Sequence, residues 1–232
     1  MPKLKSYDTE RFIFSHKGKD LLFSNVKGQK TYIKNRVDRI LSKEPETIKW
    51  IDGFEQDSVF FDVGANVGIY TVYSAKIHNN NVYAFEPHSA TYKNLLDTIN
   101  INGFSNVQAF PVALSNGINL SSIQVKNMHE GVAENKVGLQ GEHYHGCVEM
   151  HLDFLVGKKI LPQPDYIKID VDGYEDRVIK GSLATIQKCK SVLIEINHKH
   201  IDYVSKITDL GPSLISKHKR NEQEYNYIFA NG

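Results

Sequence analysis

The stretch SVFFDVGANVG, residues 58–68, restricts the possible folds of this chain more than any other segment. An apolar run of this kind is typical of a parallel β-strand that is covered on both faces. Gly64 and Gly68 allow the chain to turn tightly out of that strand and allow a ligand to approach the backbone. The residues that follow have a helical period, so their free backbone amides would point at the same loop. The segment therefore predicts a strand, a ligand-binding loop and a helix in succession.

The alternation of strand and helix continues towards the C-terminus. Further strands are predicted at NVYAFE, NVQAFPVAL, DYIKID and SVLIEIN. The helix that follows NVYAFE is predicted to be capped by Ser89 and to end at Asn102 and Gly103. Strands that alternate with helices predict a parallel α/β sheet, and such sheets bind ligands at the carboxyl ends of their strands. The loop after SVFFDV lies at such an end.

The two ends of the chain carry elements that this alternation does not explain. Near the C-terminus, SLISK and YNYIF predict two strands joined by a loop of about six residues, a length that favours antiparallel pairing. Residues 1–55 are predicted to form a cap that contains a β-hairpin over 12–26 and helices interrupted at Pro45. Residues 56–232 would form the main domain, in which 115–164 are a hairpin-containing insertion that borders the cleft.

Composition excludes several classes of protein. The 232 residues include 28 lysine and arginine residues and 27 aspartate and glutamate residues. Because these charges nearly cancel, no broad positive field would attract nucleic acid, and nucleic acid is not expected as a partner. No apolar stretch approaches the ~18 residues that a transmembrane span needs, and the N-terminus lacks the apolar region of a signal peptide. The protein is therefore expected to be cytoplasmic. Cys147 and Cys189 are expected to be reduced, packed thiols.

Two carboxylates indicate the class of ligand. Asp62 at the end of the first predicted parallel strand would repel a pyrophosphate and attract a cationic group, although it could instead cap the next helix. The glycine spacing also lacks the GxGxxG pattern of nicotinamide-binding folds. Glu86 lies 18 residues after Gly68 (86 − 68), where a carboxylate can accept both hydroxyls of a ribose. Together these residues predict S-adenosylmethionine, a cationic adenosine compound with a free ribose diol.

Five motifs in order, FDVGANVG, FEP, PVALS, KIDVDGYE and LIEIN, resemble the FkbM family of class I S-adenosylmethionine-dependent methyltransferases. The resemblance runs from about Glu44 to Phe229. It implies a Rossmann-like α/β fold, with a seven-stranded class I methyltransferase sheet whose last strand is antiparallel, preceded here by the N-terminal cap. It also implies methyl transfer to a hydroxyl group of a sugar, glycan or similar small acceptor. By resemblance, the cofactor-binding residues would be Asp62, Gly64, Ala65, Asn66, Gly68, Glu86, Pro87, Ala113 and Asp170.

Transfer to a poorly acidic hydroxyl needs a base near the methyl group. The candidates are Asp170 and Asp172, at the carboxyl end of the fourth parallel strand, and His198, after the fifth. Asp170 could instead contact the cofactor's amino group or, together with Asn197, hold Mg²⁺, an option ranked lower because a second acidic ligand is missing. The family more usually has glutamate at the position of Asp172. His198 could equally belong to the polar first turn of a helix.

Several other polar residues leave alternatives open. Glu195 lies in an apolar strand, where an unpaired charge would be costly, so either an ionic partner or a functional role is predicted. A partner is favoured, and Lys168 is one candidate. His143 and His145, with His129 upstream, could bind zinc, but they are more typical of an exposed loop, and no metal site is predicted.

Two further function classes compete with the first. The same fold could methylate nitrogen on a protein or nucleic acid, but the near-neutral charge and the absence of an (Asn/Asp)-Pro-Pro-(Tyr/Phe/Trp) tetrapeptide disfavour this reading. A noncatalytic scaffold with a methyltransferase fold is the other alternative, and the intact glycines and carboxylates disfavour it. The predicted function is therefore an O-methyltransferase with a small-molecule or glycan acceptor.

Overall fold

The computed structural model of the chain describes residues 10–25, 30–124, 136–137 and 144–231. Within these residues thirteen strands form three sheets, and helices cover both faces of the largest sheet. The strands are β1 (Glu10–His16), β2 (Lys19–Asn25), β3 (Val59–Val63), β4 (Asn81–Phe85), β5 (Val107–Phe110), β6 (Val112–Leu114), β7 (Asn119–Gln124), β8 (Lys136–Val137), β9 (Tyr144–Met150), β10 (Tyr166–Ile169), β11 (Ser191–Asn197), β12 (Ser213–Lys219) and β13 (Glu224–Ala230). The helices are α1 (Lys30–Asp38), α2 (Ile40–Lys43), α3 (Pro45–Asp52), α4 (Ile69–His78), α5 (Ser89–Asn102), α6 (Leu152–Gly157), α7 (Glu175–Lys180), α8 (Leu183–Ile186) and α9 (Asp202–Thr208), with a 3₁₀ helix at His198–His200.

The largest sheet has the strand order β12-β13-β11-β10-β3-β4-β5. Neighbouring strands are parallel except for β13, which runs antiparallel to both β11 and β12. The chain continues from β3 to β4 on one side and later returns to β10 on the other, so the order reverses at β3. The predicted class I methyltransferase sheet is confirmed, including its antiparallel last strand. The loop between β12 and β13, residues 220–223, is shorter than predicted.

Each face of this sheet carries its own hydrophobic core. On one face, Phe60 and Val82 pack with α4, α5 and the N-terminal elements. On the other face, Phe61 and Ile167 pack with α6 to α9. Phe60 and Phe61 point to opposite faces because side chains alternate along a strand, and burial of both faces explains why β3 is a continuous apolar run.

The predicted third parallel strand, NVQAFPVAL, is divided in two. β5 pairs with β4 in the main sheet, whereas β6 pairs with β9 in a separate four-stranded sheet. Pro111 lies between them and has no N–H group to donate to a neighbouring strand, so the chain leaves one sheet and enters the other there. The prediction of one continuous strand was wrong for this reason.

The boundaries of α5 follow the local signals with one exception. The helix ends at Asn102 as predicted, and Gly103 follows in the left-handed conformation with a φ of 65°. The N-cap is His88 rather than the predicted Ser89, because the His88 side chain accepts a hydrogen bond from the Thr91 backbone N–H. A ring nitrogen can serve this purpose as well as a hydroxyl oxygen can.

The predicted N-terminal hairpin is confirmed. β1 and β2 pair across a two-residue turn, in which Lys17 and Gly18 have φ values of 48° and 71°, as two-residue hairpin turns favour. The hairpin docks on α5, where Asn94 Nδ2 donates a hydrogen bond to the Ser24 carbonyl at 3.0 Å. Buried residues of the hairpin and of α1 to α3 belong to the same hydrophobic core as one face of the main sheet.

The insertion at residues 115–164 contains the predicted hairpin, since β7 pairs antiparallel with β9. With β6 and β8 these strands form the four-stranded sheet. Residues 125–135 and 138–143 of the insertion fall outside the described residues, and with them His129 and His143 of the zinc alternative.

Two expectations from composition can be compared with the structure. Cys147 and Cys189 are free and buried, as predicted. Throughout the described ranges, no helix combines the length and the apolar character needed to cross a bilayer.

Candidate active site

A cleft of about 800 Å³ lies at the carboxyl ends of the central strands, where the order of the main sheet reverses. Its walls come from the loops after β3, β4 and β10, from β11, and from residues between α1 and α3. Eight predicted site residues line it: Gly64, Ala65, Asn66, Glu86, Pro87, Ala113, Asp170 and Asp172. The topology of the sheet, rather than proximity in sequence, brings them together.

Gly64 allows the loop after β3 to lie against the backbone of the loop after β10. Its φ is 82°, and a Cβ atom at this position would lie 1.8 Å from the Asp170 carbonyl oxygen. Only glycine permits this approach. The Gly64 and Ala65 N–H groups both donate to the Phe85 carbonyl at 3.0 Å, which ties the loop to β4 as well. The loop is therefore fixed between the two strands that neighbour β3.

Glu86 follows β4 with 7% of its surface exposed. Its carboxylate oxygens accept hydrogen bonds from the backbone N–H groups of Asn66 at 3.0 Å and His88 at 2.9 Å. Burial raises the pKa of Glu86 to about 7; the two hydrogen bonds oppose this rise, and the charge of Asp172 adds to it. Because a carboxylate oxygen can accept more than one hydrogen bond, Glu86 is held in place and can still accept two hydroxyl donors.

Asp170 follows β10 and forms an ion pair with a buried lysine. Lys168, which is 1% exposed, places its Nζ 2.6 Å from Asp170 Oδ2 and 4.7 Å from the centre of the Tyr70 ring. Burial by itself would raise the pKa of Asp170, but the Lys168 ammonium, aided by Lys43 and Arg220, lowers it to about 2. Asp170 is therefore ionised throughout the neutral pH range and is a weak proton acceptor.

Glu195 on β11 belongs to a second ion network at the same cleft. Arg220 Nε donates to Glu195 Oε2 at 3.0 Å, and Arg220 Nη2 lies 2.8 Å from Glu44 Oε1. The ionic partner predicted for Glu195 therefore exists, but it is Arg220, because Lys168 pairs with Asp170. Burial raises the pKa of Glu195 to about 8, and the charge of Asp170 acts in the same direction.

The turn after Asp170 is held by Glu175. Its Oε1 accepts hydrogen bonds from the backbone N–H groups of Val171 at 3.1 Å and Gly173 at 3.0 Å. Within this turn Asp172 and Gly173 have positive φ values of 54° and 93°. Glu175 also begins α7, in whose first turn it is one of two acidic residues. The turn keeps Asp172 on the cleft wall.

Three predicted site residues do not line the cleft. Asp62 is 0% exposed; its Oδ2 accepts a hydrogen bond from the Thr71 hydroxyl at 2.6 Å, and its Oδ1 has no hydrogen-bond partner within the described residues. Gly68 precedes α4, and a Cβ atom there would lie 2.7 Å from Leu95 Cδ1. His198 lies in the 3₁₀ helix after β11. Asp62 thus contacts the first turn of α4, whose N-cap is Gly68 and not Asp62. Gly68 permits the close packing of α4 and α5.

The wall near β6 is apolar and neutral. Ala113, Leu114 and Ile123 line the cleft there. His88 lines it beside them and lies with its ring 5.3 Å from the His145 ring. Burial lowers the pKa of His88 to about 4, so this ring is uncharged at neutral pH. Such a wall suits a planar, uncharged heterocycle.

A metal site needs several donor side chains close together. In the part of the chain that the structure describes, no three histidine, cysteine, aspartate or glutamate side chains are grouped to hold a metal ion. Asp170 and Asn197, the pair considered for Mg²⁺, both line the cleft. The Asp170 carboxylate is the one paired with Lys168.

The residues of the cleft fit S-adenosylmethionine. Glu86 offers a fixed carboxylate for the ribose diol, the apolar wall at Ala113 suits adenine, and ionised Asp170 beside Gly64 suits a cationic group. The volume of about 800 Å³ is within the range of small-molecule sites.

The basic residues of the cleft were not predicted from the sequence. Arg36 lines it from α1, Arg39 from the junction of α1 and α2, Lys43 from α2, and Arg220 from the loop before β13. The first three are spaced by three and four positions, as residues on one face of a helix are, so periodicity could have identified them although the helix is interrupted at Arg39. Arg220 lies in a charged loop 25 positions from Glu195, and no local sequence pattern predicts that it reaches the cleft.

Comparison with known proteins adds a family and two relatives. The sequence profile described as a methyltransferase FkbM domain matches residues 62–229. The hexuronic acid methyltransferase AglP of Haloferax volcanii is 30% identical over 169 residues, which cover 71% of this chain and 66% of that protein. Methyltransferase 1 of Beauveria bassiana is 26% identical over 148 residues, which cover 55% of this chain and 59% of that protein. The chain thus spans less than two thirds of the length of either relative.

A solved structure has a similar fold. Fibrillarin from Aeropyrum pernix, in complex with natively bound S-adenosyl-L-methionine, aligns with a TM-score of 0.52 and 10% identity, covering 99% of this chain and 85% of that chain. At this identity the likeness concerns the fold.

Proposed function

The chain belongs to the methyltransferase FkbM domain family, and on this premise we propose that the protein transfers a methyl group from S-adenosylmethionine to a hydroxyl group of an acidic sugar. The family predicted from the five motifs is confirmed, and with it the assignment of the domain to S-adenosylmethionine-dependent methyltransferases. The observation that carries the proposed acceptor is the row of basic residues along a cleft whose other walls suit the cofactor.

Two walls of the cleft are assigned to the adenosine part of the cofactor. Glu86 accepts the ribose hydroxyls, and Pro87 and Ala113 border the adenine. Asp62 and Gly68 are assigned to the support of the loop, since neither lines the cleft: Asp62 bonds to Thr71 of α4, and Gly68 lies close to Leu95 of α5.

The loop after β3 and the end of β10 are assigned to the methionine part. Gly64, Ala65 and Asn66 let the cofactor approach their backbone, and Asp170, which Lys168 keeps ionised, attracts its amino group. When bound, S-adenosylmethionine supplies an electrophilic methyl group on a sulfonium. The remaining tasks of the protein are to align the acceptor oxygen with that methyl group and to accept a proton.

The basic residues favour an acceptor with a negative charge. Arg36 lies close enough to Glu86 to lower its pKa, and Lys43, which also pairs with Glu44 at 3.3 Å, acts in the same way on Asp170, so basic groups lie near both of these carboxylates of the cleft. Arg39 lies between them in the sequence and is exposed. Guanidinium groups bind carboxylates through paired hydrogen bonds. The relative from Haloferax volcanii is named for a hexuronic acid, a sugar that carries such a carboxylate.

We expect labelled methyl transfer to a glucuronide to be faster than transfer to the matching glucoside. Arg39→Gln is expected to lower kcat/KM for the glucuronide by about tenfold, because one charge-assisted hydrogen bond is lost, and to change the value for the glucoside by less than about twofold. Arg11→Gln, at an exposed position of β1 outside the cleft, is the matched control and is expected to change neither value. Equal losses for both sugars would contradict an interaction of Arg39 with the acceptor carboxylate.

The same assay separates the other function classes when it includes polysaccharides, peptides and nucleic acids. Transfer confined to a peptide or nucleic acid would replace the proposal with an N-methyltransferase. Tight cofactor binding without transfer to any acceptor would favour a noncatalytic scaffold.

Glu86→Ala is expected to weaken the Kd for S-adenosylmethionine by at least about tenfold, because hydrogen bonds to a charged group contribute roughly 1.5–3 kcal/mol each. Turnover at saturating cofactor is expected to be largely kept, since Glu86 is assigned to the ribose.

The affinity of the parent protein for the cofactor is expected to depend on pH. The pKa of Glu86 is about 7 and only the ionised carboxylate accepts both hydroxyls, so cofactor binding by the parent is expected to tighten as the pH rises through 7. Calorimetry at several pH values measures both effects, with Glu55→Ala, on an exposed residue outside the cleft, as the control. An affinity within about twofold of the parent would exclude Glu86 as the ribose ligand.

A further inference from the structure

The proposed reaction needs a proton acceptor, and the bases predicted from the sequence are poorly placed. Asp170 is paired with Lys168 at 2.6 Å, and a carboxyl group with a pKa of about 2 is a weak base for a sugar hydroxyl. His198 does not line the cleft. Asp172 lines it, but its charge acts on Glu86, the residue assigned to the ribose.

Glu195 lies where an acceptor of the proton is needed. It is on β11, the strand that neighbours β10, and it lines the cleft that also contains Asp170. The residue is 7% exposed, so little water competes for its carboxyl group. Arg220 holds the carboxyl group in place, but its guanidinium also pairs with Glu44, which divides its charge between two carboxylates.

The basicity of Glu195 follows from the charges that surround it. Burial and the negative charge of Asp170 disfavour the ionised form more strongly than Arg220 and Lys168 favour it, and the pKa of Glu195 rises to about 8. Further groups act on this network from the helices: Glu44 and Lys43 from the region of α2, and Tyr70 from α4. A base with a pKa near the working pH combines a useful ionised fraction with a strong tendency to accept a proton.

We propose that Glu195 is the general base that accepts the proton of the acceptor hydroxyl, and that Arg220 positions it. This assignment rests on the proposed function, because it presupposes a hydroxyl acceptor. In the transfer step the O–H bond breaks and its proton passes to the Glu195 carboxylate. The hydroxyl oxygen supplies the electron pair of the new O–CH₃ bond, and the electron pair of the broken S–CH₃ bond stays on sulfur. No further reactant is required.

Glu195→Gln tests this role with little change of shape. The kcat for methylation of a glucuronide is expected to fall by about 10²–10⁴-fold, the usual range for a general base. The Kd for S-adenosylmethionine, measured by calorimetry, is expected to stay within about twofold of the parent. The kcat of the parent is expected to rise with pH and to level off above about 8, and the residual rate of the variant is expected to lack this dependence.

A titration of the full chain without any acceptor gives a readout that does not depend on activity. With ¹³C-labelled glutamate carboxyl groups, NMR is expected to show a resonance with a midpoint near pH 8 that is absent from Glu195→Gln. Asp170→Asn is expected to move this midpoint to lower pH, because it removes a negative charge that disfavours ionisation. Glu46→Gln is the matched control, because Glu46 is a glutamate near Glu195 that does not line the cleft. Glu46 accepts a hydrogen bond from Asn226, and Asn226 pairs with Glu195 between β13 and β11. It is expected to leave both the midpoint and kcat unchanged.

The outcomes distinguish this inference from the proposed function. A parent that methylates a sugar hydroxyl while Glu195→Gln keeps a similar kcat would overturn the role of Glu195 alone. A Glu195 midpoint in the ordinary range of glutamate, below about pH 5, would do the same. A parent that methylates no sugar hydroxyl would overturn the proposed function and, with it, the role of Glu195.

Discussion

Replacing Gly64 with alanine is expected to abolish cofactor binding and to destabilise the fold by several kcal/mol. The new Cβ atom would lie 1.8 Å from the Asp170 carbonyl oxygen and 2.8 Å from its carbonyl carbon. Both atoms belong to the backbone, so a side-chain rotation cannot relieve the overlap, and the loops after β3 and β10 have to move apart. A φ of 82° adds roughly 1–2 kcal/mol of strain for any residue with a Cβ atom. Calorimetry measures the loss of binding and chemical denaturation measures the loss of stability.

Gly103→Ala is the matched control for this experiment. Gly103 also has a positive φ, of 65°, but an added Cβ atom there would meet no atom within 4 Å. We expect this variant to lose only about 1 kcal/mol of stability and to bind the cofactor as the parent does. Normal cofactor affinity in Gly64→Ala would contradict the assignment of this loop to the cofactor.

Asp170→Asn is expected to lower the free energy of unfolding at neutral pH by about 2 kcal/mol. The pKa of Asp170 is lowered from 3.8 to about 2, and a shift of nearly two units corresponds to this energy. A carboxyl group whose pKa is lowered in the folded state stabilises the protein above its unfolded pKa and loses this effect as the pH falls through its folded pKa. The difference between parent and variant is therefore expected to be constant above about pH 5 and to shrink between about pH 4 and pH 2.

The effect of this substitution is large because the partner is a buried lysine. Lys168 is 1% exposed, so removal of the paired carboxylate leaves its buried ammonium without that partner. Asp202→Asn is the matched control, since Asp202 and Lys206 are also 2.6 Å apart but are exposed. Exposed ion pairs usually contribute less than about 1 kcal/mol, so this variant is expected to resemble the parent. Equal stabilities of Asp170→Asn and the parent would contradict a stabilising role for the Lys168–Asp170 pair.

Asp170→Asn also separates two roles of the same residue in the reaction. If Asp170 holds the cofactor's amino group, the affinity for S-adenosylmethionine is expected to fall about as much as turnover does. A fall in turnover alone would return the role of base to Asp170.

The elements of the central sheet could be predicted because their signals are local. A strand that is buried on both faces has to be apolar at each position, as β3 is, and a helix that covers a sheet has to repeat its apolar residues at helical spacing. The positions of Gly64 and Glu86 followed in the same way, because parallel topology places the ends of β3 and β4 side by side. The change of sheet at Pro111 had a local signal as well, namely a residue without an N–H group inside a predicted strand.

The direction in which a side chain points was decided by the tertiary structure. Asp62 is the last polar residue of β3. The sequence around it is equally compatible with a side chain that lines the cleft and with one that is buried against the next helix. The Thr71 hydroxyl of α4 donates a hydrogen bond to Asp62 Oδ2 at 2.6 Å and holds the carboxylate towards α4. Alternation along a strand fixes which residues share a face, but the packing of the next helix decides which face meets the ligand.

The sequence by itself determined the class of fold, the family and the kind of cofactor, because each of these depends on short segments whose order along the chain is enough. The tertiary structure alone decided which charged groups meet in the cleft. Arg220 reaches Glu195 and Glu44 from a loop that is distant from both in sequence, and Lys168 pairs with Asp170 instead of Glu195. Pairing of buried charges depends on distances of a few ångströms between separate elements, and no local pattern contains that information.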